Sequence, residues 1–290
     1  MKKKNYSKFP TTGKLRYTLT NDYLFHIVFQ RNKKILRGLI RSLLHLDDDE
    51  IISIVLENPI TPGEKVNDKT IILDLFITLN NNRNINIEMQ VLNGNDWPER
   101  SLTYLCRSFD NLEEGQSYTD VIPSIHIGIL DFTLFPEYPE FYSHYAMMNI
   151  INHNIYSDKL RLNVLDLNQI HLATDDDIAC GLQYWARLFK AQTWEDLHML
   201  ASEYEVFEDI TDTMQQALTD KQIRLQCEAR KRYECDRTSL YNSGRREAII
   251  NTIKILKELN ITKTTAIDQL VKNFQLSKQE ATNLVNEHWE

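Results

Sequence analysis

The segment Ile71-Ile72-Leu73-Asp74-Leu75-Phe76-Ile77-Thr78-Leu79, followed after Asn80-Asn81-Asn82-Arg83-Asn84 by Ile85-Asn86-Ile87-Glu88-Met89-Gln90-Val91-Leu92, decides how this chain folds. Both apolar runs are rich in β-branched residues and an Asn-rich turn joins them, which reads as two antiparallel strands of a hairpin. Side chains alternate along a strand, so Ile85, Ile87, Met89 and Val91 share one face while Asn86, Glu88, Gln90 and Leu92 take the other. With the turn centred near Asn82, Asp74 faces Gln90 and lies diagonal to Glu88, within reach across the sheet. A one-residue slip would separate them. A carboxylate inside an apolar run is costly unless something compensates it. Two carboxylates beside a carboxamide offer hard oxygen donors, which suit Mg²⁺ or Mn²⁺ rather than zinc. The same pattern also fits two acids on the wet face of an ordinary half-exposed hairpin.

Working outward, residues 20–46 place Leu24, Phe25, Val28 and Phe29, then Ile35, Leu36, Leu39, Ile40, Leu43 and Leu44, at spacings of three and four, predicting amphipathic helices. Asp22 falls in the first turn, where a carboxylate suits the helix dipole. Residues 50–56 read as a strand leading into the hairpin. From Glu99 onward, Leu102, Leu105, Phe109 and Leu112 form an apolar stripe, opposite Arg100, Tyr104, Arg107 and Asn111, and Gly115 ends the helix. Residues 121–130 then form a strand. Strand, strand, helix, strand implies a crossover helix on one face of a mixed sheet.

These residues resemble a known family. Asp74 with Glu88-Met89-Gln90 is similar to the D…(D/E)-x-K core of the PD-(D/E)XK nucleases, in the variant with Gln in place of Lys. The segments Thr20-Asn21-Asp22-Tyr23-Leu24-Phe25, Ile72-Leu73-Asp74, Asn86-Ile87-Glu88-Met89-Gln90, Arg100-Ser101-Leu102-Thr103-Tyr104, Gly115-Gln116-Ser117-Tyr118 and Ile125-His126-Ile127-Gly128-Ile129-Leu130-Asp131-Phe132 occur in the order seen in the recombination-promoting nuclease/transposase family. The resemblance covers residues 18–136. One departure is His26, where similar sequences carry Lys. It implies an α/β, restriction-endonuclease-like αβββαβ core with a mixed sheet and a C-terminal helical region. It further implies a divalent-metal-dependent DNA endonuclease that hydrolyses phosphodiester bonds and promotes recombination or transposition-like events. Asp74, Glu88 and the Met89 carbonyl would hold Mg²⁺ or Mn²⁺ and Gln90 would position a water. Arg100 would contact a phosphate through its bidentate fork, and Asp22 would approach the metal. The alternatives are a DDE-type transposase, which would need a third acid such as one of Asp175-Asp176-Asp177, a catalytically inactive DNA-binding relative and a protein-interaction module.

Length and composition agree with one sizeable domain plus an appendage. We expect a nuclease-like domain over residues 1–172 and a helical region over 173–290. Within the latter, residues 262–290 have helix-turn-helix spacing, with Thr262 and Ser277-Lys278-Gln279-Glu280 as helix starts. A balance of five Lys or Arg against six acids in residues 247–290 suits packing or homo-oligomer formation there better than groove entry. The net charge is −8, yet residues 1–41 hold eleven Lys or Arg against Asp22 alone, and residues 221–246 hold eight against three acids. Clustered positive charge is what a DNA partner requires, since each neutralised phosphate releases counterions. Cys106, Cys180, Cys227 and Cys235 make no C-x-x-C pair, and no apolar run approaches a membrane span or signal peptide, so a cytoplasmic location is expected. No histidine pair has zinc-ligand spacing, and all eight are expected to be structural. The usual motifs of serine hydrolases, P-loop NTPases and Rossmann dehydrogenases are absent.

Overall fold

The computed structural model describes residues 12–57 and 74–289, together with the backbone of the short strand pair at 60–61 and 71–72. The basic start and Leu73, part of the first expected strand, lie outside the described residues. Helices α1 (Asp22–Arg31) and α2 (Lys33–Leu44) come first. The Asn21 side chain accepts from the Leu24 N–H at 3.1 Å, and Asn32 accepts from Lys34 and Ile35 at 3.0 and 3.3 Å. Each Asn thereby satisfies helix donors that have no intrahelical partner. Strands β1 (Ile54–Leu56), β2 (Ile60–Thr61), β3 (Ile71–Ile72), β4 (Leu75–Leu79) and β5 (Arg83–Gln90) follow. Then come α3 (Trp97–Phe109), β6 (Ser124–Leu130), β7 (Tyr142–Met148) and β8 (Ile155–Asp166).

The main sheet has the order β1-β4-β5-β6-β8-β7, with β5-β6 and β6-β8 parallel and the other pairs antiparallel; β2 and β3 form a separate two-stranded ladder. Helix α3 makes the β5-to-β6 crossover, as the sequence order implies. The hairpin register differs by two residues from the expected one. Leu75 pairs with Ile87 and Leu79 with Arg83, so the turn is Asn80-Asn81-Asn82 and its centre is Asn81. Asn80 and Asn81 take positive φ (52° and 56°), which Asn tolerates better than most residues. The Asn80 amide fixes the turn by accepting from Ile52 and Ser53 and donating to the Glu50 carbonyl at 2.7 Å. A two-residue shift preserves the face of every side chain, so the alternation survives.

The strand expected over 50–56 shortens, because residues 48–50 form a 3-10 turn closed by an Asp47/Glu50 capping box. Likewise β6 starts at Ser124 rather than at residue 121, after a 3-10 turn, and β8 ends at Asp166, ahead of a further 3-10 turn at Ile170–Leu172. Helix α3 is rotated from its expected orientation. Its buried face is Trp97, Ser101, Tyr104, Leu105 and Ser108, whereas Leu102 is exposed. The reason is the sheet face it covers, which carries Asn86, Glu88, His126 and Gly128 and favours polar or small partners over a leucine stripe.

Beyond the sheet lie α4 (Asp175–Ala179), α5 (Leu182–Lys190), α6 (Trp194–Glu203) and α7 (Val206–Ala217), then α8 (Lys221–Glu258), α9 (Lys263–Phe274) and α10 (Lys278–His288). The expected helical region breaks at Gly181 (φ 79°), between α4 and α5, and again between α7 and α8. Residue 172 is not where packing stops. Trp185, Phe189, Phe207 and Met214 share one core with Phe25, Phe29, Leu39, Ile77, Ile85 and Ile87. The two compact units are Met1–Arg230 and Lys231–Glu290, dividing within α8. The second unit has its own core of Ile249, Ile253, Ala266, Leu270, Ala281 and Val285, and its α10 carries the capping box at Ser277 and Glu280. Among the described residues no helix is long and apolar enough to cross a membrane.

Candidate active site

Strand β5 is buried on both faces. Ile85, Ile87 and Met89 enter the main core, while Asn86 and Glu88 face α3. Asp74 occupies the bend before β4, one step beyond the Leu75–Ile87 pair, which brings it alongside the C-terminal end of β5. Its Oδ2 accepts from the Met89 N–H at 2.9 Å. A strand residue sends its N–H and C=O to the same edge, so the Met89 carbonyl also turns toward Asp74. His26 Nδ1 contacts the Asp74 carbonyl and fixes the bend from α1. His26 therefore has a backbone-holding position in this chain.

Glu88 is 2% exposed, and its Oε1 accepts from Arg100 Nη2 at 2.6 Å. Its Oε2 finds no hydrogen-bond partner among the described residues. Arg100 stacks over the Tyr104 ring at 5.3 Å and keeps about a third of its side chain, 32%, open to solvent. On the same sheet face, Asn86 Nδ2 donates to His126 Nδ1 at 2.8 Å, a tautomer that leaves the proton on Nε2. That Nε2 has no hydrogen-bond partner among the described residues and stands 4.0 Å from Glu88 Oε2. Trp97 closes the layer: its ring lies 5.7 Å from His126, and a Cβ on Gly128 would come within 2.1 Å of Trp97 Cζ2. Gln90, on the face of Glu88, donates its amide to the Leu92 carbonyl at 3.1 Å.

Electrostatics follow from this enclosure. Burial pushes the Asp74 carboxyl well above the usual carboxylate range, the Asp22 charge pushes it further, and the Met89 N–H opposes the shift. Glu88 is also raised, first by burial and next by the Asp74 charge, with Arg100 opposing. Like charges held close in low dielectric cannot both ionise without a compensating cation. His126 is lowered to about 3, chiefly by burial and then by Arg100, so it stays neutral. Asp22 meets Arg230 (Nε to Oδ2, 3.5 Å) and Arg230 in turn lowers Asp74.

The structure thus brings Asp74, Glu88, Met89 and Arg100 together, and Asp22 is near enough to raise both acids. Gln90 follows them on the same strand face, though its amide turns to Leu92. Among the described residues no three of His, Cys, Asp and Glu converge as a ligand set. His126, Asn86, Trp97 and Arg230 escaped the sequence reading. His126 departs from the expectation of satisfied structural histidines, since its Nε2 is buried and unpartnered. Its signal was a polar residue at an alternate position of the Ile125-His126-Ile127 run, in register with Asn86. Arg230 was legible only as part of a basic cluster.

An antiparallel β1-β4-β5 meander, a crossover helix and parallel β6, with an acid before β4 and acid-x-Gln ending β5, define a nuclease fold of the PD-(D/E)XK class. The model of the PD-(D/E)XK nuclease family transposases matches residues 19–244, and the chain belongs to that family. Comparisons with curated proteins and with solved structures return no match.

Proposed function

We propose that this chain is a divalent-metal-dependent DNA endonuclease that hydrolyses phosphodiester bonds in recombination or transposition-like events. The observation that carries the reading is the pair of half-buried Asp74 and buried Glu88, both pushed toward protonation, with Glu88 Oε2 left without a partner among the described residues. Such a pair is a poor structural device and a good receptor for a cation. The donors are hard oxygens, so Mg²⁺ or Mn²⁺ fits them. Asp74, Glu88 and the Met89 carbonyl would hold the ion, which when bound supplies charge to the phosphate and lowers the pKa of water.

The chain's own groups do the rest. Arg100 retains an exposed flank beside Glu88 and, being always protonated, stabilises negative charge on a phosphate oxygen. Gln90 orients water through its amide but cannot remove a proton at neutral pH. Neutral His126 keeps its Nε2 at 4.0 Å from Glu88 Oε2, on the same sheet face. Asp22 completes the acidic wall, and Arg230 balances it. The basic residues of 1–41 and of α8 supply phosphate attraction for a DNA partner, despite the −8 total.

The test is nicking and linearisation of supercoiled plasmid in Mg²⁺, Mn²⁺ or EDTA, with Asp74→Ala and Glu88→Ala beside the wild type. Metal-dependent cleavage lost in both variants is the expected result. Wild-type binding without cleavage under every metal would replace the enzyme by a DNA-binding relative.

A further inference from the structure

The 17 residues from Phe141 to Ser157 contain no Asp, Glu, Lys or Arg, in a chain with 74 such residues among 290. The structure makes this uncharged stretch a projecting arm. Strand β8 pairs with β6 only from Leu160 onward, whereas its earlier residues pair with β7 alone, Ser157 with Met147 and Ile155 with Met148. The outer edge of β8 is therefore unpaired there, and residues 147–156 are exposed on both faces of the hairpin. Its tip is nevertheless ordered. Asn149 Oδ1 accepts from Ile151 and Asn152, Asn152 Oδ1 accepts from Asn154, and the Asn149 N–H donates to the Asn154 carbonyl at 2.9 Å. At the base, Lys159 Nζ donates to the carbonyls of Thr119 and Val121 at 2.7 and 3.0 Å.

This rigid arm holds its largest apolar side chains in solvent: Ile150 is 88% exposed, Ile151 86% and Tyr156 82%, with Ile155, Met147 and Met148 next to them also exposed. Six large apolar side chains exposed together amount to an apolar surface on the order of several hundred Å², a large part of the ~800 Å² that one partner contributes to a standard interface. A nucleic acid would need cations here, and residues 141–157 hold no Lys or Arg. For a second copy of a chain carrying net −8, an uncharged face is where close approach meets least repulsion. Asn149, Asn152 and Asn154 supply both donors and acceptors, which suits pairing with an identical surface. The arm's foot also borders a cavity of about 410 Å³ whose lining mixes Leu43, Leu44, Ile125 and Ile155 with the charged Asp158 and Arg161. A two-fold interface is self-complementary, and a tip and a cavity bordering the same arm can meet that condition because each copy offers both in one patch.

We propose that the β7-β8 arm is a self-association surface, on which two copies of this chain dock with the Ile150-Ile151 tip of each against the arm and cavity of the other. The experiment is light scattering and sedimentation velocity on the full chain at micromolar concentration, for wild type, an Ile150→Asp/Ile151→Asp double variant and Tyr156→Glu. Wild type should run at twice the 34.2 kDa of one chain, and the arm variants at one chain's mass with unchanged circular dichroism and melting. A monomeric wild type overturns the proposal, as does a dimer that persists in both arm variants and so forms elsewhere, for instance through the C-terminal helices. A monomeric wild type whose DNA affinity falls on arm substitution overturns it in favour of a wedge inserted into DNA.

Discussion

Glu88→Gln should make the metal-free protein more stable while abolishing cleavage. The carboxamide keeps Oε1 as an acceptor for Arg100, bonded at 2.6 Å in the wild type, and puts an amino group where the unpartnered Oε2 stands. That amino group converts a like-charge encounter with Asp74 into an attraction. A buried acceptor left unsatisfied costs about 1–3 kcal/mol, and the bond to Arg100 weakens when the carboxylate becomes neutral, so the net gain is about 1–2 kcal/mol. For a unit of this size, 1 kcal/mol moves the melting temperature by about 2–4 °C, giving a rise of about 2–8 °C.

The sign with pH separates this cause from others. Glu88 is raised in the folded protein, so the folded state keeps a proton that the unfolded chain has lost. The stability that proton carries is fully present below the ordinary carboxyl pKa and is lost as pH rises through the higher folded value. The variant has no such proton, and its advantage should therefore be near zero at pH 5 and largest at pH 8. Calorimetric melts in EDTA at pH 5, 6.5 and 8 measure it. A variant that melts below wild type at pH 8, or by the same margin at every pH, would refute the reasoning and make the Glu88–Arg100 pair a stabilising ion pair.

The same coupling predicts that Mg²⁺ raises the wild-type melting temperature more at pH 8 than at pH 6 and releases protons on binding, which titration calorimetry in buffers of different ionisation enthalpy would detect. Arg100→Ala should lower the cleavage rate by about 10²–10³-fold, while shifting the melt by only a few degrees because its side chain is partly exposed; an unchanged rate would remove Arg100 from the chemistry. Gly128→Ala places a Cβ 2.1 Å from Trp97 Cζ2, inside a buried indole that cannot simply swing away. It should destabilise by about 1–3 kcal/mol or more, read from urea denaturation, and a midpoint equal to wild type would show that Trp97 has room to move.

The face alternation of β5 was legible because one period governs it: Ile85, Ile87 and Met89 cannot be inward unless Asn86 and Glu88 face the other way. The register was less legible, since it depends on how Asn80 and Asn81 turn the chain, and that is set by long-range bonds from Asn80 to Glu50, Ile52 and Ser53. Helix α3 was misoriented for a related reason. Periodicity finds the most apolar stripe, but a helix buries what its partner surface accepts, and that surface is the polar face of Glu88 and His126. The role of residues 182–217 in the main core follows from contacts made across more than 150 positions, such as Phe29 against Trp185, which no local pattern reports.

The candidate site is built from elements that destabilise locally: two carboxylates driven toward protonation, an orphaned Oε2, an unpartnered His126 Nε2 and an indole pressed on Gly128. They persist because β5 carries them on one face while its other face is locked into the main core through Ile85, Ile87 and Met89. The fixation extends across the molecule: α1 holds the Asp74 bend through His26, and the start of α8 holds Asp22 through Arg230. A charge arrangement that relaxed when empty would have to be rebuilt at each encounter with a phosphate. Here the surrounding core bears the strain in advance, which is the condition under which fixed dipoles and charges lower a reaction barrier.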